Sequence, residues 1–293
     1  MLAFFRKVYR VFSIGIGHFM LDDGWAMASH LALSGLMAIF PFLIFVAALA
    51  AFIGRRDLAD RVTDLVFQAW PAEIAQPIAN EIHKVLTEPR SGVLTISILI
   101  TVYLASNGVE AVRMALNRAY RVPEMRSIFF RRFQSIGFVI IGALTGLALA
   151  VLGVLGPLLW NLLESKFPWL EPFRASFTAA RYIVVGGLLL IALVAAHLWL
   201  PSWRPRIMAI WPGIVATLLC WWAVTAAFAR YLENFANYTA TYAGLASLVA
   251  AIFYLYLMAV ILIGGGEFNA AIAAARREST AEGAGSAEAH EWR

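Results

Sequence analysis

The chain has 293 residues, of which 61% are hydrophobic and only 14% are charged, and its mean hydropathy is +0.75. A soluble domain carries about 25% charged residues, so this composition excludes an ordinary water-soluble globular protein. The net charge of +5 is gathered in clusters between long apolar runs, which is typical of a polytopic membrane protein.

Six apolar runs are long enough to cross a bilayer, which takes roughly 20 residues of helix. Because lipid offers no hydrogen bonds to the backbone, such runs favour helices. In chain order they are Leu31–Ile53, Val93–Val112, Phe133–Leu163, Tyr182–Leu200, Ile207–Ala229 and Tyr242–Gly266. The predicted fold class is therefore all-α, a polytopic membrane protein with six transmembrane helices plus amphipathic interfacial helices.

The segments around these runs predict three parts. Residues 1–30 form an amphipathic interfacial segment, because Phe5, Val8, Phe12 and Ile16 recur at helical spacing. Residues 31–277 form the six-helix domain, whose outer loop, 54–92, carries amphipathic stripes before and after Pro71. Those stripes either lie on the membrane or only pack as a lid. Residues 278–293 are small and polar, which predicts a disordered tail.

The basic residues predict an orientation. With six spans both termini lie on one side, and that side carries 14 Lys and Arg against 9 on the other. Since Lys and Arg concentrate in cytoplasmic loops, both termini are expected in the cytoplasm.

No catalytic constellation is evident in the sequence. The five histidines do not fall at metal-ligand spacing, and the single cysteine, Cys220, cannot form an intrachain disulfide or a cysteine metal site. We therefore expect no catalytic residues, no metal, no cofactor and no enzymatic activity.

Polar groups within the first span are candidate transport residues, because they are costly in hydrocarbon. Ser34 precedes Pro41 in this run, and a proline frees a carbonyl and bends a helix. The pair either opens a polar cavity or marks an ordinary packed kink.

A second polar group follows the second span. It contains Asn107, Glu110, Arg113 and Asn117. Glu110 and Arg113 are three residues apart, and Arg113 and Asn117 four, so all three share a helical face. The group is either the inner mouth of a cavity or a helix end with a local ion pair.

Three glycines, Gly264–Gly266, and then Glu267 end the last apolar run. The glycines predict close backbone contact between helices. We expect Glu267 to pair with an arginine of the loop after the second span, with Arg113 and Arg118 as the first choices. The pair is either a structural staple or a gate that substrate or a proton opens.

The loop after the second span interleaves arginines with phenylalanines. Positive-inside anchoring explains it, and specific binding of anionic lipids is the alternative. The candidate lipid contacts are Arg118, Arg121, Arg126, Arg131 and Arg132. No nucleic-acid partner is expected.

Three stretches resemble one family. They are "AMASHLALSGLMAIFPFLIF", "LASNGVEAVRMALNRAYRV" and "TYAGLASLVAAIFYLYLMAVILIGGGEFNAA". Together they are similar to the YihY/BrkB family of bacterial inner-membrane proteins. The resemblance implies six spans and a multi-pass protein of the inner (plasma) membrane. Members have carried ribonuclease, serum-resistance and virulence labels, and some are linked to export of envelope lipid.

Three functions follow as hypotheses. The first is a protein of envelope biogenesis that transports or flips a lipid or another amphiphile, favoured by the kinked span, the interfacial helices and the basic loops. The second is an ion- or proton-coupled small-solute transporter, with Glu110 or Glu267 as the titrating group. The third is a non-transporting scaffold for envelope assembly. The expected partners are membrane lipids and, in addition, further copies of the chain in a homo-oligomer.

Overall fold

The computed structural model of the chain describes the backbone of residues 2–52, 91–150, 152, 156–203 and 205–291. Within these ranges the structure is helical and contains no strand, so the predicted all-α class is confirmed. The α-helices are α1 (Leu2–Leu21), α2 (Gly24–Phe52), α3 (Ser91–Ala119), α4 (Ile128–Ala150), α5 (Gly156–Lys166), α6 (Arg174–Trp199) and α7 (Ile207–Glu291). A short 3₁₀ helix, Pro168–Phe173, leads into α6.

Four of the described segments are long and apolar enough to cross a membrane. They are Ile128–Ala148, Pro168–Trp199, Ile207–Leu232 and Leu248–Ala275. They overlap the third to sixth predicted spans. Most of the first predicted span lies in α2, where Gly24–Ile39 is an apolar helical segment shorter than the four candidate spans. The second predicted span lies in α3. The count of six spans stays a prediction.

One predicted boundary differs from the structure. The helix of the fourth predicted span, α6, begins at Arg174, eight residues before the predicted start at Tyr182. The long third run lies in α4 and α5, and Leu152, between these two helices, is π-helical.

The last helical element, α7, is not one straight rod, because its first part packs against its last part. The Trp221 indole N–H donates to the Met258 carbonyl (3.0 Å), and Gly213 N donates to Asn269 Oδ1 (2.7 Å). Because low-numbered residues meet high-numbered ones, 207–232 and 248–275 form two antiparallel arms, called here the hairpin.

The helix of the second arm continues through Glu291. It therefore includes most of the segment from Glu278 that its composition predicted to be disordered. This segment is rich in alanine and glutamate, which have high helix propensity. The division of the chain into three parts is not tested by these elements and stays a prediction.

The first helix packs on the hairpin. Val11 and Phe19 are buried, and the Phe12 ring lies 5.5 Å from the Phe268 ring. The buried face of α1 is therefore not the predicted apolar stripe but lies next to it on the helix surface. Phe12 and Ile16, which belong to the predicted stripe, lie at the edge of the buried face. The amphipathic stripes of the outer loop fall within 53–90, outside the described residues.

The core, where α1, α2, α3, α6 and α7 meet, combines alanines with buried leucine, isoleucine and phenylalanine side chains. On α3, Ala111, Ala115 and Ala119 form a stripe at four-residue spacing and are at most 2% exposed. Without a hydrophobic drive between helices in lipid, small side chains favour association by close packing. Other large apolar side chains, such as Ile183 and Trp222, point outward, as expected for a surface that faces lipid.

Candidate functional site

Two helix ends with left-handed backbone face one another. Asp23, after α1, has φ 51°, and Arg121, after α3, has φ 54°. At the second end Arg121 N donates to Arg118 O (2.9 Å) and Val122 N to Asn117 O (2.9 Å), the pattern that ends a helix with a left-handed residue. Glycine is usual there, and another residue costs roughly 1–2 kcal/mol.

These two ends are joined by ion pairs. Arg118 Nη2 lies 3.0 Å from Asp23 Oδ2, and Arg121 Nη2 lies 2.5 Å from Asp22 Oδ2. Burial, and then Arg121, hold the pKa of the nearby His18 imidazole below its usual value. The pairs tie the end of α1 to the end of α3.

Arg121 also lies 3.3 Å from Glu267 Oε2, on the second arm of the hairpin. The predicted pairing with an arginine of the loop after the second span is therefore confirmed, but the particular choice of Arg113 or Arg118 is wrong. Arg113 points toward α4 and Arg118 pairs with Asp23, whereas the left-handed turn directs Arg121 toward the hairpin. Arg121, Asp22 and Glu267 are called here the acid–arginine cluster.

Glu267 is 1% exposed, and the three glycines before it explain this burial only in part. A Cβ on Gly265 would overlap Thr217 Oγ1, and one on Gly266 would lie 3.1 Å from Ala119 Cβ. Both glycines therefore permit close helix contact. Gly264 differs, because a Cβ there meets no atom within 4 Å.

A buried polar chain runs beside the acid–arginine cluster. Asn269 Oδ1 accepts from Gly213 N, and its Nδ2 donates to Ile210 O (2.9 Å) and to the Tyr120 hydroxyl (3.2 Å). The Tyr120 oxygen lies 2.6 Å from His197 Nδ1, and burial raises the pKa of the Tyr120 hydroxyl. Sequence analysis missed Asp22, Tyr120, His197 and Asn269. The sequence did contain one indication of this network, since Asn269 is a polar residue two positions after Glu267 at the end of an apolar run.

The predicted pair of Glu110 and Arg113 is present. The two side chains form an ion pair, and Ser135 Oγ donates to Glu110 Oε1 (2.8 Å). Arg113 is 1% exposed and also donates to Gln134 Oε1 (3.1 Å) and to the Arg131 carbonyl (3.1 Å). This network joins α3 to α4.

Asn117 belongs to a group of hydrogen bonds that is joined to Arg113 through Gln134, because Gln134 Oε1 accepts from Arg126 Nη1 (3.2 Å) as well as from Arg113. Asn117 Nδ2 donates to Glu124 Oε2 (3.0 Å), and Asn117 Oδ1 accepts from Ser202 N (2.8 Å). Arg126 Nη2 donates to Glu124 Oε2 (2.7 Å) and to the Leu200 carbonyl (2.6 Å). The Arg126 guanidinium lowers the pKa of Glu124 to about 2. These bonds fasten the loop after α3 to the end of α6.

Asn107 accepts from Arg132 Nη1 (2.9 Å), which also donates to Ser106 Oγ (2.6 Å). Arg118, Arg121, Arg126 and Arg132 thus all have intramolecular hydrogen-bond partners. The Arg131 carbonyl accepts from Arg113, and the Arg131 guanidinium interacts electrostatically with Glu110. Binding of anionic lipids by these arginines stays a prediction.

Ser34 and Pro41 are not brought to the acid–arginine cluster. They lie 10 and 17 residues beyond Gly24 on α2, which places them about 15 and 25 Å along the helix at 1.5 Å per residue. This part of α2 packs closely on α3, since a Cβ on Gly108 would lie 2.9 Å from Ala38 Cβ, and the Ser34 carbonyl oxygen lies at ordinary contact distance, 3.9 Å. Their role in transport stays a prediction.

An apolar cavity of about 460 Å³ lies between α1 and the hairpin, next to the acid–arginine cluster. Among the described residues no group of three His, Cys, Asp or Glu side chains is placed to hold a metal ion. The site therefore consists of a buried ionic cluster, a buried amide and hydroxyl network, and an apolar cavity beside them.

An all-helical fold with long apolar helices and polar networks at one end defines an integral membrane protein. The chain belongs to the family described as Virulence factor BrkB, which matches residues 16–291. The predicted family is thereby confirmed.

Several curated relatives are similar over most of this chain. The ribonuclease-like protein YfkH of Bacillus subtilis is 31% identical over 86% of this chain and 91% of its own length. A UPF0761 membrane protein of Legionella pneumophila is 25% identical over 87% of this chain but 60% of its own length. A UPF0761 membrane protein of Alteromonas mediterranea is 24% identical over 93% of this chain and 90% of its own. No solved structure matches the chain.

Proposed function

We propose that this protein transports or flips a lipid or another amphiphile in the inner membrane of a bacterium. One observation carries the proposal: Glu267, 1% exposed, lies in an apolar helix beside an apolar cavity. Ionisable groups at such positions are costly and are retained mainly for function. An amphiphile needs both a polar group and an apolar surface, and here the two adjoin.

The acid–arginine cluster suits a gate because three separate elements meet in it. Arg121 on the end of α3 holds Asp22 on the end of α1 and Glu267 on the hairpin. A polar headgroup that competes for Arg121 would weaken both contacts at once. The end of α1 would then be free to move from the hairpin and uncover the cavity.

Reconstitution into vesicles with a fluorescent phospholipid tests this proposal. The wild-type chain is expected to speed movement of the label between leaflets, and Glu267→Gln to abolish that gain while the protein still accumulates folded. The matched control is Glu171→Gln, on the exposed 3₁₀ helix. No movement by the wild type overturns the proposal, and loss of folded protein in Glu267→Gln makes Glu267 a structural staple.

A second candidate is a proton-coupled small-solute transporter. It is favoured by two carboxylates, Asp22 and Glu267, that share the single guanidinium of Arg121, so that a proton can replace one ionic contact. The charged and titratable groups around Glu267 are His18, Asp22, Asp23, Arg118, Tyr120 and Arg121. Glu110, paired with Arg113, is the alternative titrating group. Flux that depends on a pH gradient, and loses this dependence in Glu267→Gln, would favour this candidate over lipid movement.

The orientation and partners follow as part of the proposal. Arginines of the loop after α3 lie at the same end of the bundle as Glu267, which supports a cytoplasmic position for this end and for both termini. Membrane lipids are the proposed partners, together with further copies of the chain. A stable copurifying envelope protein, without flux of any solute or lipid, would favour a scaffold instead.

A further inference from the structure

The cavity beside the acid–arginine cluster has a lining made almost wholly of carbon. Its volume of about 460 Å³ falls within the roughly 300–1,000 Å³ of small-molecule sites. One wall is α1 with the start of α2, and the other is the hairpin. The first wall includes Phe12, Ile16 and Trp25, and the second includes Thr217, Cys220 and Gly264.

Water is a poor occupant for this cavity. A buried water needs two to four polar partners, and apolar cavities stay dry. The Thr217 hydroxyl is a polar group of the lining, but it is buried against Gly265 and has no surface to offer. The contents must therefore be apolar.

The surroundings decide which apolar molecule is available. The hairpin arms that form one wall are both candidate membrane spans, so the medium next to the cavity is hydrocarbon. Ile16 and Trp25 at the rim are 57% and 47% exposed, which leaves the cavity open on that side. A transmembrane helix is about 10–12 Å across with its side chains, so a helix would cover the mouth and leave the interior empty.

We propose that this cavity binds one acyl chain of a membrane phospholipid. In the state that the structure shows, Arg118 and Arg121 are paired with Asp22, Asp23 and Glu267, so a headgroup would meet Arg121 only as the gate opens. Binding at the cavity itself therefore depends on the hydrocarbon chain, which lies under α1 while the headgroup stays at the interface. The assignment deepens the proposed function and rests on it for its role in transport, but binding is measured separately from movement.

Gly264 provides a way to fill the cavity. A Cβ at this position meets no atom within 4 Å, so Gly264→Leu adds a side chain to the cavity without a clash at its first carbon. Gly186→Leu is the matched control, because its Cβ also meets no atom within 4 Å and Gly186 lies on α6, away from the cavity.

The full-length protein is reconstituted in vesicles of phosphatidylethanolamine and phosphatidylglycerol that contain a phospholipid with a photoreactive acyl chain. Labelled residues are mapped by mass spectrometry. Labelling is expected to concentrate on cavity residues such as Phe12 over the exposed Trp222, to fall several-fold in Gly264→Leu and to persist in Gly186→Leu. Labelling that follows exposure to bulk lipid and ignores Gly264→Leu overturns the proposal.

Cys220, the only cysteine, gives a second measurement that needs no cavity variant. In detergent, added phospholipid is expected to slow alkylation of Cys220 several-fold. It should not slow alkylation of a control cysteine at the exposed neighbouring position, made as Trp222→Cys in Cys220→Ala. Equal slowing at both positions overturns the proposal. Binding of the acyl chain without movement of lipid between leaflets would contradict only the proposed function. Movement of lipid without either binding signal would contradict only the proposal that the cavity binds an acyl chain.

Discussion

Arg121 lies between two carboxylates, 2.5 Å from Asp22 Oδ2 and 3.3 Å from Glu267 Oε2. Its backbone is left-handed, with φ 54°, so the chain accepts local strain to place this guanidinium. Strained residues of this kind concentrate at functional sites. The contact joins α1, α3 and the hairpin, and it is the most informative place to perturb the protein.

We expect Arg121→Met to destabilise the protein more than Arg118→Met. The first change leaves the buried Glu267 without its cation, which costs about 1–3 kcal/mol or more for a charged group. The second removes a pair whose Asp23 side chain is 70% exposed, and such pairs contribute about 0–1 kcal/mol. Thermal unfolding in detergent measures both. Adding Glu267→Gln to Arg121→Met should restore part of the loss, and no restoration would refute the pairing.

The glycines at the end of the hairpin are expected to differ sharply. A Cβ on Gly265 would overlap Thr217 Oγ1, so Gly265→Ala should reduce the yield of folded protein. Gly264→Ala meets no atom within 4 Å and should be neutral or stabilise the helix by about 0.5–1 kcal/mol. Size-exclusion profiles and thermal unfolding report both changes, and equal behaviour of the two variants would contradict this helix contact.

Glu124 is expected to make stability depend on acid pH. Because Arg126 holds the pKa of Glu124 at about 2, below its ordinary 4.5, the stabilisation is fully present above about 4.5. It is lost as the pH falls toward 2, and its full size is on the order of 3 kcal/mol. Glu124→Gln should therefore lower the unfolding temperature at neutral pH and flatten its fall below about pH 4.5. Glu171→Gln, on the exposed 3₁₀ helix, is the control, and the same flattening there would remove the role of Glu124.

Asn269→Ala should cost about 1–3 kcal/mol of stability, because it leaves Gly213 N and the Ile210 carbonyl without their partner in a buried region. Asn107→Ala removes an amide that is exposed and accepts from Arg132, and should stay within about 0.5 kcal/mol. Chemical or thermal unfolding in detergent compares the two. An Asn269→Ala loss no larger than that of Asn107→Ala would show that the amide network is dispensable.

Cysteine accessibility tests the proposed orientation. In a Cys220→Ala background, Ser127→Cys lies in the loop after α3 and Ser176→Cys at the start of α6, and both positions are exposed. Basic loops concentrate in the cytoplasm, so an impermeant maleimide on intact cells should label Ser176→Cys but require lysis for Ser127→Cys. The reverse pattern would invert the orientation, and labelling of both in intact cells would contradict a span between them.

Part of the candidate site could be predicted from local spacing. Glu110 and Arg113 pair as expected, because three residues bring two side chains to one helical face. The partner of Glu267 could not be predicted in this way. Its choice depends on the left-handed turn at Arg121, which occurs at a residue other than glycine and leaves no mark in the sequence. The Tyr120, His197 and Asn269 network was missed because its members come from distant parts of the chain: the turn after α3, then α6 and α7.

By itself the sequence determined the class of protein, its all-α fold and the family, because hydropathy, charge clustering and ordered motifs are properties of consecutive residues. Only the tertiary structure decided that Arg121 holds Glu267, 146 residues away. The tertiary structure also decided that the helices of the last two apolar runs meet at Gly213 and Asn269, and that α1 forms one wall of a cavity. These relationships depend on how helix ends and small-residue faces come together in space, and pairing between distant residues has no period along the chain.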